Sequence, residues 1–329
     1  MILRLLSQLI LATTLLQVYP TDAGMVERYA TLPSAEVRQI GAEQIFSLMN
    51  RTLPVALIAD RSPKKIEPNS IGVVTSARSA IVVDRSTGAV LYEKNSTEPR
   101  SIGSITKLMT AFVFLKGNPN LDVAAALEGE DVRTGGMQHI SVGDMVTVRN
   151  LLQSSLVGSD NSATAALVRL SGMSQGDFVA RMNEVAAEIG MTSTTFLDPT
   201  GLSSDNRSVA PDVVRLIDET LKVDAIREAT QLQVTTFTGT SGRVYSIAST
   251  DELLGTYLNQ TPYKIVGGKT GFLPEAGYCL GSLISENNGH EIIVVVLGSE
   301  TKDGRFQDVK ALAAWAYKVF DWPDEEGKI

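Results

Sequence analysis

Apolar spacing changes period twice along this chain, and each change marks a different kind of element. Ala80–Val83 is an apolar run closed by Asp84-Arg85-Ser86-Thr87-Gly88 and answered by Ala89–Tyr92, which predicts a hairpin. From Ile102 the period is helical, with Leu108, Met109, Phe112 and Leu115 recurring over Ile102–Leu115. Helical spacing then continues to about residue 225. Val148–Leu156 and Ala163–Leu170 predict two apolar helices on either side of a turn at Ser159. Asp177–Ile189 repeats the pattern through Phe178, Met182, Val185, Ala186 and Ile189. Ala210-Pro211-Asp212 opens another helix, with Val213, Leu216, Ile217 and Leu221 inward.

Beyond residue 230 the period becomes that of strands. Val234–Phe237 and Arg243–Ile247 bracket Thr238-Gly239-Thr240-Ser241-Gly242 as a hairpin. Lys264–Thr270, Gly277–Ile284 and Glu291–Leu297 follow, the last two joined by Asn287-Asn288-Gly289, and Gln307–Phe320 closes the pattern as a helix. Strands at both ends with helices between them predict an α+β fold. One antiparallel sheet is flanked by terminal helices, and an all-helical subdomain, about 102–226, is inserted in it. The folded domain is expected over 75–323, with 324–329 as a tail. Residues 24–74 mix a polar helical stretch, Ser34–Met49, with Arg61-Ser62-Pro63-Lys64-Lys65, and read as an N-terminal extension or linker.

The first residues change the picture of where the protein works. Arg4, the apolar run Leu5–Val18 and the segment Tyr19-Pro20-Thr21-Asp22-Ala23 read as a signal peptide over 1–23. The run is interrupted by Ser7, Gln8, Thr13, Thr14 and Gln17, and it falls short of the roughly 20 apolar residues of a spanning helix. The expected product is a periplasmic or secreted protein with no stable membrane anchor after cleavage. A net charge of -8 argues against nucleic acid as a partner. With Cys279 as the single cysteine, no intrachain disulfide forms, and its apolar neighbours predict a buried, inert thiol. One cysteine and two histidines exclude a structural zinc site, and neither metal nor cofactor is expected.

Candidate chemistry rests on three short motifs: Ser104-Ile105-Thr106-Lys107, Ser159-Asp160-Asn161 and Lys269-Thr270-Gly271. At helical spacing, Lys107 shares a face with Ser104. A serine needs a base to become a nucleophile, and lysine serves if burial or a second cation such as Lys269 lowers its pKa. A helix start at Ser104 also offers N–H groups to an oxyanion. Each motif alone has a bland competitor: Ser104 as a helix cap, Ser159-Asp160-Asn161 as a turn, Gly268-Lys269-Thr270 as part of a phosphate loop. The phosphate loop fails, because its first glycine would fall on Tyr263 and the segment runs into a strand. A Ser-His-Asp site fails too. His139 and His290 lie in polar turn-like segments, and no G-x-S-x-G elbow is present.

Taken together, the motifs appear in a fixed order, at the start of a helix, between two helices and on a strand. In this the chain resembles the penicillin-binding serine D,D-peptidases and serine β-lactamases. The runs Ser101–Ala111, Met182-Asn183, Gly190-Met191 with Phe196, Pro199-Thr200-Gly201-Leu202 and Gly268–Leu280 resemble the D-alanyl-D-alanine carboxypeptidase/endopeptidase branch over roughly residues 75–320. The resemblance implies a β-lactamase/transpeptidase-like fold in which Ser104 is the acyl-enzyme nucleophile and Lys107 its base. Ser159 would relay the proton to the leaving amine, and Asn161 would hold a substrate amide and Lys107. Lys269, Thr270 and Gly271 would hold the substrate's carboxylate side, and the N–H groups of Ser104 and Phe272 would form the oxyanion hole. Implied partners are peptidoglycan stem peptides, with β-lactam antibiotics as inhibitors. Because the chain stops soon after its last helix, it resembles the short endopeptidase branch without a C-terminal domain. Carboxypeptidase activity, a class A-like β-lactamase and a non-catalytic wall-binding module are the alternatives. A class A enzyme needs an E-x-x-L-N segment, which the chain lacks. Two departures bear on peptide specificity: Leu273-Pro274 after Phe272, and Asp198 before Pro199.

Overall fold

The uninterrupted apolar run Ile292–Leu297 predicts a strand covered on both faces, and the fold is arranged around it. The computed structural model describes residues 61–323. The leader expected over 1–23, the extension as far as residue 60 and the tail from 324 lie outside the described residues.

In chain order, β1 (Ser79–Asp84) and β2 (Val90–Lys94) form the first hairpin. The helices α1 (Thr106–Lys116), α2 (Val148–Val157), α3 (Asn161–Leu170), α4 (Gln175–Glu188), α5 (Ala210–Thr220) and α6 (Asp224–Thr230) follow. A separate hairpin, β3 (Val234–Thr238) and β4 (Val244–Ala248), precedes β5 (Tyr263–Leu273), β6 (Gly277–Glu286) and β7 (Glu291–Ser299). The closing helix is α7 (Lys302–Val319). The main sheet is antiparallel with order β5-β6-β7-β1-β2, so both chain ends supply it and the helices enter between β2 and β5.

Alternation along β7 separates two cores. Ile292, Val294 and Val296 pack with Phe306, Val309, Leu312 and Ala316 of α7. Ile293, Val295 and Leu297 pack with Val213, Leu216 and Ile217 of α5 and with Leu108 and Met109 of α1. Each such buried side chain contributes roughly 1.5–3 kcal/mol, and a one-residue slip of β7 would exchange the two sets.

Several boundaries differ from the sequence expectation for local reasons. Helix α7 starts at Lys302 instead of Gln307, because Thr301 Oγ1 accepts from Gly304 N at 2.9 Å and caps a polar first turn. Helix α6 was not expected, and the inserted subdomain is not all-helical, since Ala124–Ala126 pairs antiparallel with Met145–Thr147. Ser104 lies in a 3-10 turn, Gly103–Ile105, and α1 begins only at Thr106, so Ser104 is not its cap. In the expected extension, Lys64–Lys65 pairs with Phe320–Asp321, and Ile66 N donates to Val319 O. Among the described residues, no helix is long and apolar enough to cross a membrane.

Strand β5 is an edge strand that pairs only with β6. Its opposite edge meets the turn that precedes α1: a Cβ built on Gly103 would stand 2.8 Å from Phe272 N, and one on Gly271 would stand 2.2 Å from Ile102 O. Glycine at 103 is required twice over, by that contact and by its φ of 51°.

Candidate active site

The three motifs, far apart in sequence, converge in space. Lys107 is fully buried in the first turn of α1, and its Nζ donates to Ser104 Oγ at 2.9 Å, Asn161 Oδ1 at 2.6 Å and Thr200 O at 2.6 Å. Burial lowers its pKa to about 7, against the charges of Asp198 and Asp160, which favour the protonated amine. A lysine poised there can lose a proton near neutrality and take the one on Ser104 Oγ.

Asp160 organises the second motif through its hydrogen bonds. Its carboxylate caps α3, accepting from Ser162 N at 2.8 Å and Ala163 N at 3.0 Å, and it also accepts from His139 N at 2.7 Å. That cap orients its two neighbours. Asn161 reaches Lys107 with its carbonyl oxygen and donates from Nδ2 to Gly135 O. Ser159 sits at φ 59°, a left-handed conformation that costs a serine free energy.

The third motif lies on β5. Lys269 is buried, and its Nζ donates to Ser159 Oγ at 3.0 Å and to Thr270 O at 3.1 Å. Burial, and then the nearby charges of Lys107 and Arg305, hold its pKa well below the ordinary lysine value. Thr270 Oγ1 meets Thr250 Oγ1 at 2.7 Å. Gly271 O accepts from Arg305 Nη1 at 3.3 Å. Phe272 is half-exposed, its ring stacked on Tyr278 at 4.4 Å, and its N–H lies beside the Gly103–Ser104 turn.

Sequence reasoning did not identify four contributors. Thr200 offers its carbonyl to Lys107, and Thr250 touches Thr270. Arg305 and Asp251 are buried near Lys269, with Arg305 Nε and Asp251 Oδ2 lacking hydrogen-bond partners among the described residues. Burial pushes the Asp251 carboxyl up to about 6, although Leu253 N–H and the cations Arg305 and Lys269 pull the other way. Thr250, Arg305 and Asp251 have no motif to announce them, and the run that contains Thr200 does not tell that its carbonyl meets Lys107.

Asp198, the departure noted above, holds the loop that carries the Thr200 carbonyl. Its Oδ1 accepts from Thr200 N at 2.7 Å, Thr200 Oγ1 at 2.5 Å and Gly201 N at 2.9 Å, and its Oδ2 from Ser203 N at 2.7 Å. Burial raises its pKa, but these bonds outweigh burial and leave it below the ordinary value. Cys279 is fully buried and burial pushes its thiol up to about 11, so it remains an unreactive thiol. Among the described residues no cluster of His, Cys, Asp or Glu could hold a metal ion.

Comparison with known proteins shows the family and the fold. Residues 65–301 match the family model described as D-alanyl-D-alanine carboxypeptidase. The chain is 30% identical over 254 residues to D-alanyl-D-alanine carboxypeptidase DacF of Bacillus subtilis, covering 74% of this chain and 63% of that protein, less than two thirds of its length. It is 31% identical over 267 residues to a D-alanyl-D-alanine endopeptidase of Pseudomonas aeruginosa, covering 80% of this chain and 84% of the relative. Among solved structures, the Streptomyces K15 DD-transpeptidase superposes with a TM-score of 0.69 at 26% identity, over 76% of this chain and 100% of that one. The fold is therefore that of the penicillin-binding D,D-peptidases. The chain belongs to the D-alanyl-D-alanine carboxypeptidase family of peptide hydrolases.

Proposed function

We propose that this protein is an exported serine D,D-peptidase that cleaves D-alanyl bonds in peptidoglycan stem peptides, acting chiefly as a D,D-endopeptidase on cross-links. One observation carries the reading: a fully buried Lys107 amine donates to Ser104 Oγ at 2.9 Å while titrating near 7. Capping or packing requires neither. The name of the Pseudomonas relative supports the endopeptidase branch. The catalytic domain is taken as residues 75–323, behind a leader over 1–23.

The residues divide the reaction as follows. Lys107, neutral, takes the proton of Ser104 as Oγ attacks the D-alanyl carbonyl carbon. The oxyanion forms beside the N–H groups of Ser104 and Phe272, which the close approach of Gly103 to β5 brings together. On collapse the C–N bond breaks, the leaving amine takes the proton of Ser159 Oγ, and Lys107 returns the proton it took from Ser104 to Ser159, which leaves Lys107 neutral again. Ser159 is free to donate because Lys269 Nζ supplies the hydrogen bond that Ser159 Oγ accepts. Thr270 and Lys269, backed by Arg305, hold the carboxylate beside the scissile bond, and Asn161 holds an amide of the acyl half. Water then releases the acyl group from Ser104.

The test is to digest purified cross-linked muropeptide dimers and monomeric pentapeptides and read the products by mass. Dimers converted to monomers support the endopeptidase reading, whereas loss of one alanine from pentapeptides alone would replace it with carboxypeptidase activity. Ser104→Ala abolishes both; retained cleavage would remove the serine mechanism.

A further inference from the structure

A second recess lies beside the catalytic cleft, where the reaction described above has no use for it. The β3–β4 hairpin is closed by Gly239 N donating to Arg243 O at 2.9 Å and by Ser249 N donating to Gln233 O at 2.8 Å. With this register, the main chains of Tyr245 and Ile247 face β3, and those of Val244 and Ser246 face away from it. On that open edge, no main-chain partner for Val244 or Ser246 occurs among the described residues. A gap of about 270 Å³ separates the edge from His139, and Arg243 stands at its end.

Its position relative to the chemistry is set by Gly158. A Cβ built on Gly158 would lie 2.6 Å from His139 Nε2, so the imidazole covers the residue that precedes Ser159. With Cα atoms 3.8 Å apart, His139 stands within about 8 Å of the Ser159 backbone. Strand β4 runs from the gap towards Thr250, which touches Thr270. The recess therefore adjoins the side of the cleft where Ser159 meets the leaving amine.

Charge distinguishes the recess from the protein as a whole, which carries a net -8. Among the described residues, the side chains lining it include Arg243 and His139 and no acid. Two carboxylates that bond to lining residues are already occupied. Asp144 accepts from Tyr245 Oη at 2.6 Å, Ser241 Oγ at 2.7 Å and Ser241 N at 3.0 Å. Asp160 is taken up by the α3 cap and by His139 N.

We propose that this gap is a subsite for the stem peptide on the leaving side of the scissile bond, with Arg243 and His139 receiving that stem's distal carboxylate and the open edge of β4 pairing with its main chain. The proposal rests on the reading of the chain as a D,D-peptidase that cuts cross-links. A released D-alanine has one carboxylate, which Lys269 and Thr270 take. A released stem peptide has a second, several bonds farther on, and it needs a cation outside the catalytic cleft. Arginine suits that task because its planar fork binds a carboxylate through two N–H groups, and an unpaired strand edge suits an extended peptide.

The experiment uses synthetic cross-linked peptide dimers whose leaving stem ends either as the free acid or as the carboxamide. Wild type is expected to favour the acid by about tenfold in kcat/KM, a usual size for a charge-assisted contact. Arg243→Gln and His139→Gln each shrink that ratio, Arg243→Gln to within about twofold of unity, and Arg243→Lys keeps a part of it. The ratio is internal to each variant, so a general loss of folding or activity does not imitate the result. Equal cleavage of acid and amide by wild type would overturn the subsite alone, as would a tenfold preference surviving in Arg243→Gln. If wild type cleaves neither dimer yet trims pentapeptides, the cross-link reading falls and the subsite with it.

Discussion

Lys269 Nζ donates to Ser159 Oγ at 3.0 Å, joining an edge strand to a turn 110 residues earlier in the chain. The contact sets an amine behind the hydroxyl assigned above to the leaving amine, and it is the point at which the second and third motifs meet. Removing the hydroxyl removes the proton path while leaving Ser104 and Lys107 in contact. Ser159→Ala is expected to lower kcat on a D-alanyl-D-alanine peptide by about 10²-fold or more, in the range of general acid–base effects, with a smaller change in KM. Steady-state kinetics on the two proteins measures this.

Lys107 must be neutral to accept the serine proton, so kcat/KM falls as pH drops through about 7. The sign of a nearby charge can be tested at the same limb. Asp198 stabilises the ammonium form of Lys107, so Asp198→Asn lowers the lysine pKa and moves the acid limb to lower pH. The asparagine keeps one acceptor oxygen for the 198–203 loop. A pH–rate profile that shifts upward, or does not move, contradicts the electrostatic role.

Gly103 combines a left-handed backbone with contact to Phe272 N. Gly103→Ala is expected to destabilise the protein by about 1–2 kcal/mol from backbone strain alone. It also displaces the Phe272 N–H from the Ser104 turn, so acylation slows more than stability falls. Urea unfolding and the rate of penicillin acylation, measured on the same sample, separate the two effects.

Much of this arrangement was legible in the sequence, and its limits have physical causes. Strands β1 and β7 show as short continuous apolar runs bounded by turn residues, and helix α1 shows by its apolar spacing of three and four; both signals are local. The pairing of Lys107 with Ser104 follows from helical spacing, although the hydroxyl stands on a 3-10 turn: Ile105 and Thr106 continue the helical pattern and hide the change of geometry. Helix α6 is short, and its Ile226 and Ala229 alone do not establish a period. Arg305, Asp251, Thr250 and the Thr200 carbonyl were not legible, because their place at the site depends on how distant elements pack and not on their neighbours in the chain. The three motifs were individually weak and jointly informative.

A penicillin acyl-enzyme is expected to persist. Asp160 and Asp198 are committed to N–H donors, and Glu184 and Glu188 are paired with Arg181 at 2.9 and 2.8 Å. None of these four is free for the role that a class A β-lactamase gives its deacylating carboxylate, and the chain lacks the E-x-x-L-N segment that supplies it. A fluorescent penicillin, bound and then chased with unlabelled drug, is expected to remain attached for many minutes; release within seconds would place the chain with the β-lactamases.

The central claim is that Ser104 forms the acyl-enzyme with Lys107 as its base. Intact and peptide mass spectrometry after brief exposure to benzylpenicillin at neutral pH tests it most directly. One covalent adduct per chain is predicted, located on the peptide carrying Ser104, slowed by at least about 10²-fold in Lys107→Met and absent in Ser104→Ala. An adduct on any other residue, or one that survives Ser104→Ala, contradicts the account.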